Sequence, residues 1–235
     1  MDIKNVAARF ELGEEYFRSH QFRKALDEFK EYVWLNPSDP AGHHSLGATY
    51  CELGEFALAV GPFLRALRIG PEHADVYHTL GLVYSELGQH ENAAQAFQNA
   101  VRLEPDIADN YCGLGNSYLQ LRRWAEAIQA ARKALGLKPD SAEAHLCLGC
   151  ALHGYATFGE AAAAYRKSLE LSPGQFVALA TSEMRTCKWV CLRKPEILLC
   201  RRKVSRRTTQ NCIDCLGRFT GNLEEGMMPP VSMRF

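Results

Sequence analysis

Long apolar runs are missing from this sequence. No apolar stretch nears the ~18 residues that a membrane-crossing helix needs. The first ten residues, MDIKNVAARF, carry charge throughout and lack the apolar core of a secretory signal. No membrane association is expected, and the compartment is expected to be cytoplasmic, with the nucleus as the other candidate. A charge excess is missing too. Formal net charge is zero, 23% of residues are charged and 47% are hydrophobic, an ordinary globular composition. The nine cysteines are an odd number, so a complete set of disulfides within one chain is excluded. Nothing in the first 175 residues forms a catalytic constellation, and neither enzyme activity nor a cofactor is expected.

The zero net charge hides an asymmetry. Residues 1–175 hold 16 Lys and Arg against 22 Asp and Glu, a net of −6, and residues 176–235 hold 11 against 5, a net of +6. The chain changes character near residue 176.

What is present is a rhythm. Pro37, Pro71, Pro105, Pro139 and Pro173 are 34 residues apart. With proline at position 32, the units run 6–39, 40–73, 74–107, 108–141 and 142–175. Position 7 is Leu12, Leu46, Leu80, Leu114 and Leu148. Position 8 is Gly13, Gly47, Gly81, Gly115 and Gly149. Position 20 is Ala25, Ala59, Ala93, Ala127 and Ala161. Position 11 is Tyr in four units and Leu152 in the last. Position 24 is Phe29, Phe63, Phe97, Ala131 and Tyr165, and position 27 is small except at Tyr32.

This pattern predicts a helical hairpin. Positions 7 and 11 lie one turn apart on a first helix, and positions 20 and 24 on a second. Glycine inside a helix costs about 1 kcal/mol against alanine, so five of them at position 8 imply a close helix approach. Alanine at position 20 is the expected facing residue. Asp39-Pro40 supplies a cap followed by a first-turn proline. Gly61-Pro62 falls within a second helix, where the proline is expected to kink or weaken it. One hairpin cannot bury its apolar face alone, whereas about three stacked hairpins can. The expected fold is therefore all-α, a stack of five hairpins.

The Leu-Gly at 7–8, Tyr at 11, Ala at 20, aromatic at 24 and Pro at 32 closely resemble the tetratricopeptide repeat family over 170 of the 235 residues. The resemblance implies a right-handed α-solenoid and a function as a scaffold or adaptor. Its concave groove, lined by the first helices, would hold a peptide segment of another protein. Position 4 departs from the family's usual aromatic, being Arg9, His43, Tyr77, Tyr111 and His145. The family's groove positions are 2, 5, 9, 12 and 13. Position 2 offers Asp75, Asp109 and Glu143. Position 5 offers Phe10, His44 and His78. Position 9 offers Glu14 and Asn116, and position 13 offers Glu52 and Glu86. This groove leans acidic, so a partner with basic and apolar side chains would suit it. The chaperone-tail clamp of the family is not matched, since Phe10, Glu14, Ser45, Asp75 and Thr79 stand where its Lys, Asn and Arg would be. The asparagine ladder of the O-linked N-acetylglucosamine transferase is also missing at position 6.

Isolated polar residues read plainly. Cys147 and Cys150 sit mid-helix, away from the strand-to-helix setting of a redox motif, and read as small packing residues. His44, His78 and His153 lack tight ligand spacing and read as polar groove residues, so no metal is expected.

Past Pro173 the register fails. Phe176, Leu179, Ala180, Met184, Cys187, Val190 and Cys191 fall on one side at helical spacing, which predicts a capping helix over 176–194. For residues 195–235 several readings stay open. Cys187, Cys191, Cys212 and Cys215 have zinc-like spacing, but without a histidine or a mini-core. Arg201–Arg207 could bind nucleic acid or direct nuclear import, though no stacking aromatics accompany it, and nucleic acid is not the favoured partner. The loss of rhythm also fits a disordered or aberrant tail, as a frameshift or alternative exon would leave. In that setting the chain could be the targeting arm of a truncated larger enzyme, such as a glycosyltransferase.

Overall fold

The computed structural model describes residues 3–172. The expected capping helix, the basic run, Cys187, Cys191, Cys212 and Cys215 lie outside the described residues. Within them are ten helices and no strand. They are α1 (Ile3–Arg18), α2 (Phe22–Leu35), α3 (Pro40–Glu52), α4 (Phe56–Ile69), α5 (Ala74–Glu86), α6 (His90–Leu103), α7 (Ala108–Gln120), α8 (Trp124–Leu137), α9 (Ala142–Gly154) and α10 (Phe158–Leu171). The architecture is all-α and of the solenoid class. The chain divides into two compact units, Met1–Leu121 and Arg122–Phe235. Each is taken by itself below.

Helix ends follow from local chemistry. In each unit of the repeat, position 15 takes a left-handed backbone: φ is +57° at His20, +75° at Gly54, +70° at Gly88, +58° at Arg122 and +67° at Ala156. Only two of the five are glycine, the residue that adopts this conformation without a steric cost. At the start of α3, Asp39 accepts a hydrogen bond from the Ala41 N–H at 3.0 Å, and Pro40 takes the first helical position. Ser141 caps α9 through the Ala144 N–H at 3.2 Å.

In the first unit the core runs between paired helices. Phe29, Phe63 and Phe97 are buried, as are Ala25, Ala59 and Ala93. Each phenylalanine contributes about 1.5–3 kcal/mol relative to an exposed position. The close approach expected at position 8 is present, and the nearest atoms across it belong to the ring at position 24. A Cβ on Gly13, Gly47 or Gly81 would come within 2.7, 2.9 or 2.8 Å of the ring of Phe29, Phe63 or Phe97. The glycine thus makes room for the ring at position 24. In the second unit Gly149 stands in the same relation to Tyr165 at 2.6 Å.

Two irregularities are resolved by neighbours. Tyr32, large where other units are small, lies against Gly42, where a Cβ would meet its ring at 2.5 Å. Its hydroxyl donates to Asp39 Oδ2 and accepts from Asn36 Nδ2 at 3.3 Å. The histidines at position 4 also have a shared task. The ring Nε2 of His43 lies 3.1 Å from the Pro37 carbonyl, and that of His145 lies 3.0 Å from the Pro139 carbonyl. A carbonyl can only accept, so both Nε2 atoms carry hydrogen. Arg9, at the same position, pairs with Glu28 at 2.8 Å and Glu31 at 2.5 Å.

Pro62 lies inside α4, which is helical from Phe56 to Ile69. The carbonyl deprived of its partner belongs to Leu58, whose residue is 56% exposed, so water can satisfy it.

Candidate partner-binding face

The first helices α3, α5, α7 and α9 contain no Lys or Arg. Their acidic residues are Glu52, Asp75, Glu86, Asp109 and Glu143, all exposed. In the first unit, Asp75 and Asp109 occupy the first turns of α5 and α7, where a negative charge also favours the helix dipole. Glu52 and Glu86 close α3 and α5. There the dipole opposes them, so helix stability does not explain their presence. In the second unit Glu143 sits in the first turn of α9.

The ring row at position 5 is half-buried and built on the core. Phe10 lies 5.8 Å from the Phe29 ring, His44 lies 5.8 Å from Phe63, and His78 lies 5.6 Å from Phe97. All three pairs are tilted or edge-on, the favoured aromatic geometry. His78 Nδ1 is also 2.7 Å from Asn110 Oδ1. The amide oxygen only accepts, so Nδ1 carries the hydrogen and the orientation of the ring is fixed. Asn110 is 2% exposed, and its role was not legible from its position in the repeat. Glu14 Oε1 accepts from Ser45 Oγ at 3.1 Å, tying α1 to α3. Asn116 is half-buried on α7.

The face therefore has two layers. Phe10, His44, His78 and Glu14 are held by neighbours. Glu52, Asp75, Glu86 and Asp109 project outward. Position 9 of α5 is Leu82, which is 47% exposed. It is an aliphatic residue in an otherwise polar or small row.

The remaining candidates are engaged elsewhere. In the second unit Cys147 is buried, and His153 stacks edge-on against Phe158 at 5.4 Å. Burial holds the His153 pKa below its ordinary value. In the first unit burial, reinforced by the nearby Glu52 charge, pushes the Cys51 thiol up from 9.0 to about 11. It is protonated at neutral pH and is a packing residue, not a nucleophile. No helix among the described residues is long and apolar enough to cross a membrane.

Comparison with known proteins fits this geometry. The family model described as "Tetratricopeptide repeat" matches residues 10–74, 78–142 and 112–176. A crystal structure of MamA is 25% identical with a TM-score of 0.66, covering 74% of this chain and 97% of that one. MamA 41-end from Desulfovibrio magneticus RS-1 is likewise 25% identical, with a TM-score of 0.68 over 72% of this chain and 96% of its own. The crystal structure of YrrB, described as a TPR protein with an unusual peptide-binding site, has a TM-score of 0.67 at 20% identity. It covers 74% of this chain and 90% of that one, and at that identity it speaks for the fold alone. No curated protein sequence matches.

Proposed function

The chain belongs to the tetratricopeptide repeat family, and from that premise we propose that it is an interaction scaffold holding a basic and apolar segment of another protein on the first-helix face of its first compact unit. The observation that carries this reading is the charge partition. Helices α3, α5, α7 and α9 have acids and no Lys or Arg, while the basic residues of the described chain lie on α1, the second helices and the loops. Such a surface attracts cationic segments and repels anionic ones, which favours both encounter rate and selectivity. The half-buried rings at position 5 supply apolar contact beneath the acids. The work is binding, not catalysis, and the expected setting is the cytosol or nucleus.

The test is capture of partners by the full chain and by two charge-reversed variants. One carries Asp75→Lys and Asp109→Lys. The other carries Glu52→Lys and Glu86→Lys. The second matters because a cation near a helix C-terminus favours the dipole, so lost binding there cannot be ascribed to a weakened fold. Each reversed contact is expected to lower affinity for a purified partner several-fold, with a steeper loss in low salt. Partners retained at unchanged affinity by both variants would overturn the reading.

A further inference from the structure

Helix α4 has an outward side unlike that of the other second helices, α2, α6, α8 and α10. Successive residues rotate by about 100°, so Ala57, Leu58, Leu64, Arg65 and Arg68 all fall within about 60° of Gly61. All six are exposed, Leu58 at 56% and Leu64 at 42%. The two leucines stand at positions 19 and 25 of the repeat. Those positions are Lys24 and Lys30 on α2, Asn92 and Gln98 on α6, and charged residues on α8 and α10. The buried side of α4 is formed by Ala59, Phe63, Ala66 and Leu67. Polar residues serve at positions 19 and 25 in every other second helix, so the fold does not require the leucines.

The pattern is also symmetric along the helix. Leu58 and Leu64 stand ~4.5 Å before and after Gly61 along the axis. Exposed Glu55, at the N-terminus, is ~9 Å before Gly61, and Arg65 and Arg68 are ~6 and ~10.5 Å after it. None of these three charges belongs to an ion pair among the described residues. A glycine before Pro62 avoids a clash inside the helix, and it also leaves the centre of the face without a side chain.

We propose that the outward side of α4 is a homodimer interface, on which a second copy of this chain lays its own α4 antiparallel, with a two-fold axis at Gly61. About that axis Leu58 comes level with the second copy's Leu64, and Leu64 with the second copy's Leu58. Glu55 of each copy then meets the basic end of the other helix, within about 3 Å of Arg65 and Arg68 along the axis. A parallel alignment would set like charges together, so charge selects the antiparallel one. A two-fold contact must be self-complementary, and this face is. The carbonyl of Leu58, deprived of its helical donor by Pro62, offers the opposing guanidinium groups a further acceptor. One helix per copy makes a small contact, so a weak dimer is expected, with a Kd of about 10–100 μM. The partner-binding face belongs to the first helices, and the two readings stand or fall separately.

The experiment is sedimentation of the full-length chain from ~5 to ~500 μM in reducing buffer. One variant carries Leu58→Asn and Leu64→Gln, the residue types that α6 has at these positions. A second carries Glu55→Lys, and a third Arg65→Glu with Arg68→Glu. Trp34→Gln, at a residue 74% exposed on α2, is the control. The leucine variant is expected to raise Kd about tenfold without moving the urea midpoint, and the control to change neither. Each charge variant alone is expected to lose self-association, because like charges then face each other. Mixing the two is expected to restore dimers, since both ends of the mixed pair regain opposite charges. A chain that stays monomeric throughout, or a dimer that survives the leucine and charge variants, would overturn the proposal. So would a dimer lost only in Trp34→Gln, or charge variants that fail to associate when mixed.

Discussion

Phe97 is held between two glycines. A Cβ on Gly81 would come within 2.8 Å of its ring and a Cβ on Gly113 within 2.5 Å, so the ring cannot retreat from either. Gly81→Ala gains the helix propensity of alanine, about 1 kcal/mol, yet overpacks a buried site at a cost of about 1–3 kcal/mol. Net destabilisation is expected in urea unfolding. Gly136→Ala is the opposite case. Gly136 lies in the last turn of α8, exposed and with nothing within 4 Å of an added Cβ, so the same exchange is expected to raise stability by up to about 1 kcal/mol. A common sign for both would refute the packing argument. The left-handed residue at position 15 gives a third case. Ala156, at φ +67°, is strained where Gly54 and Gly88 are not, and Ala156→Gly is expected to stabilise by up to about 1 kcal/mol. The recurrence of glycine at position 8 was legible as a demand for space. What fills that space was not, because helical periodicity says which residues share a face and not which atom crosses the gap. The same limit hid Asn110. Nothing in its spacing announces a buried amide that locks His78 at 2.7 Å.

At the scale of the helix, Asp39 does two tasks. One oxygen caps α3 through Ala41 and the other accepts the Tyr32 hydroxyl. Removing the cap with Asp39→Ala is expected to cost about 1–2 kcal/mol, and Tyr32→Phe about 1 kcal/mol. The two should not add, since losing Asp39 already strips Tyr32 of its acceptor. A double-mutant cycle in urea that returned simple additivity would show the pair to be independent. The cap was legible from Asp39-Pro40. The tyrosine was legible only as an exception, because its accommodation depends on Gly42 in the next unit of the repeat. Pro62 shows how a local rule yields to context. The rule foresees a missing hydrogen bond, and the helix continues because the orphaned carbonyl lies at an exposed residue. The acidic row was readable from sequence because its members recur in phase. That Phe10, His44 and His78 are half-buried supports was not readable, because ring stacking on position 24 decides it.

At the scale of the molecule, three groups shifted by burial contribute to the pH dependence of stability. His153, in the second unit, has its pKa depressed by burial, so its neutral form is the folded one. A depressed pKa gives stability that is present above the unfolded value of about 6.5 and lost as pH falls below it. Cys51, in the first unit, runs the other way. Burial first and Glu52 second raise its pKa from 9.0 to about 11, so the folded chain holds a proton that the unfolded chain releases. Stability is therefore lost as pH rises from about 9 to about 11. Tyr32, raised mainly by burial and then by its bond to Asp39, adds to the loss above pH ~10. The expected profile is a plateau from about pH 6.5 to 9 with a falling limb on each side. Repeat arrays sum local terms, so each limb should respond to its own residue. Cys51→Ala is expected to flatten the alkaline limb between pH 9 and 11 and leave the acid limb in place. His153→Asn is expected to flatten the part of the acid limb nearest neutrality and leave the alkaline limb unchanged. Circular dichroism during urea unfolding, repeated across pH, reads both. An alkaline limb that survives Cys51→Ala unaltered between pH 9 and 10, below the tyrosine range, would show that the buried thiol does not govern it.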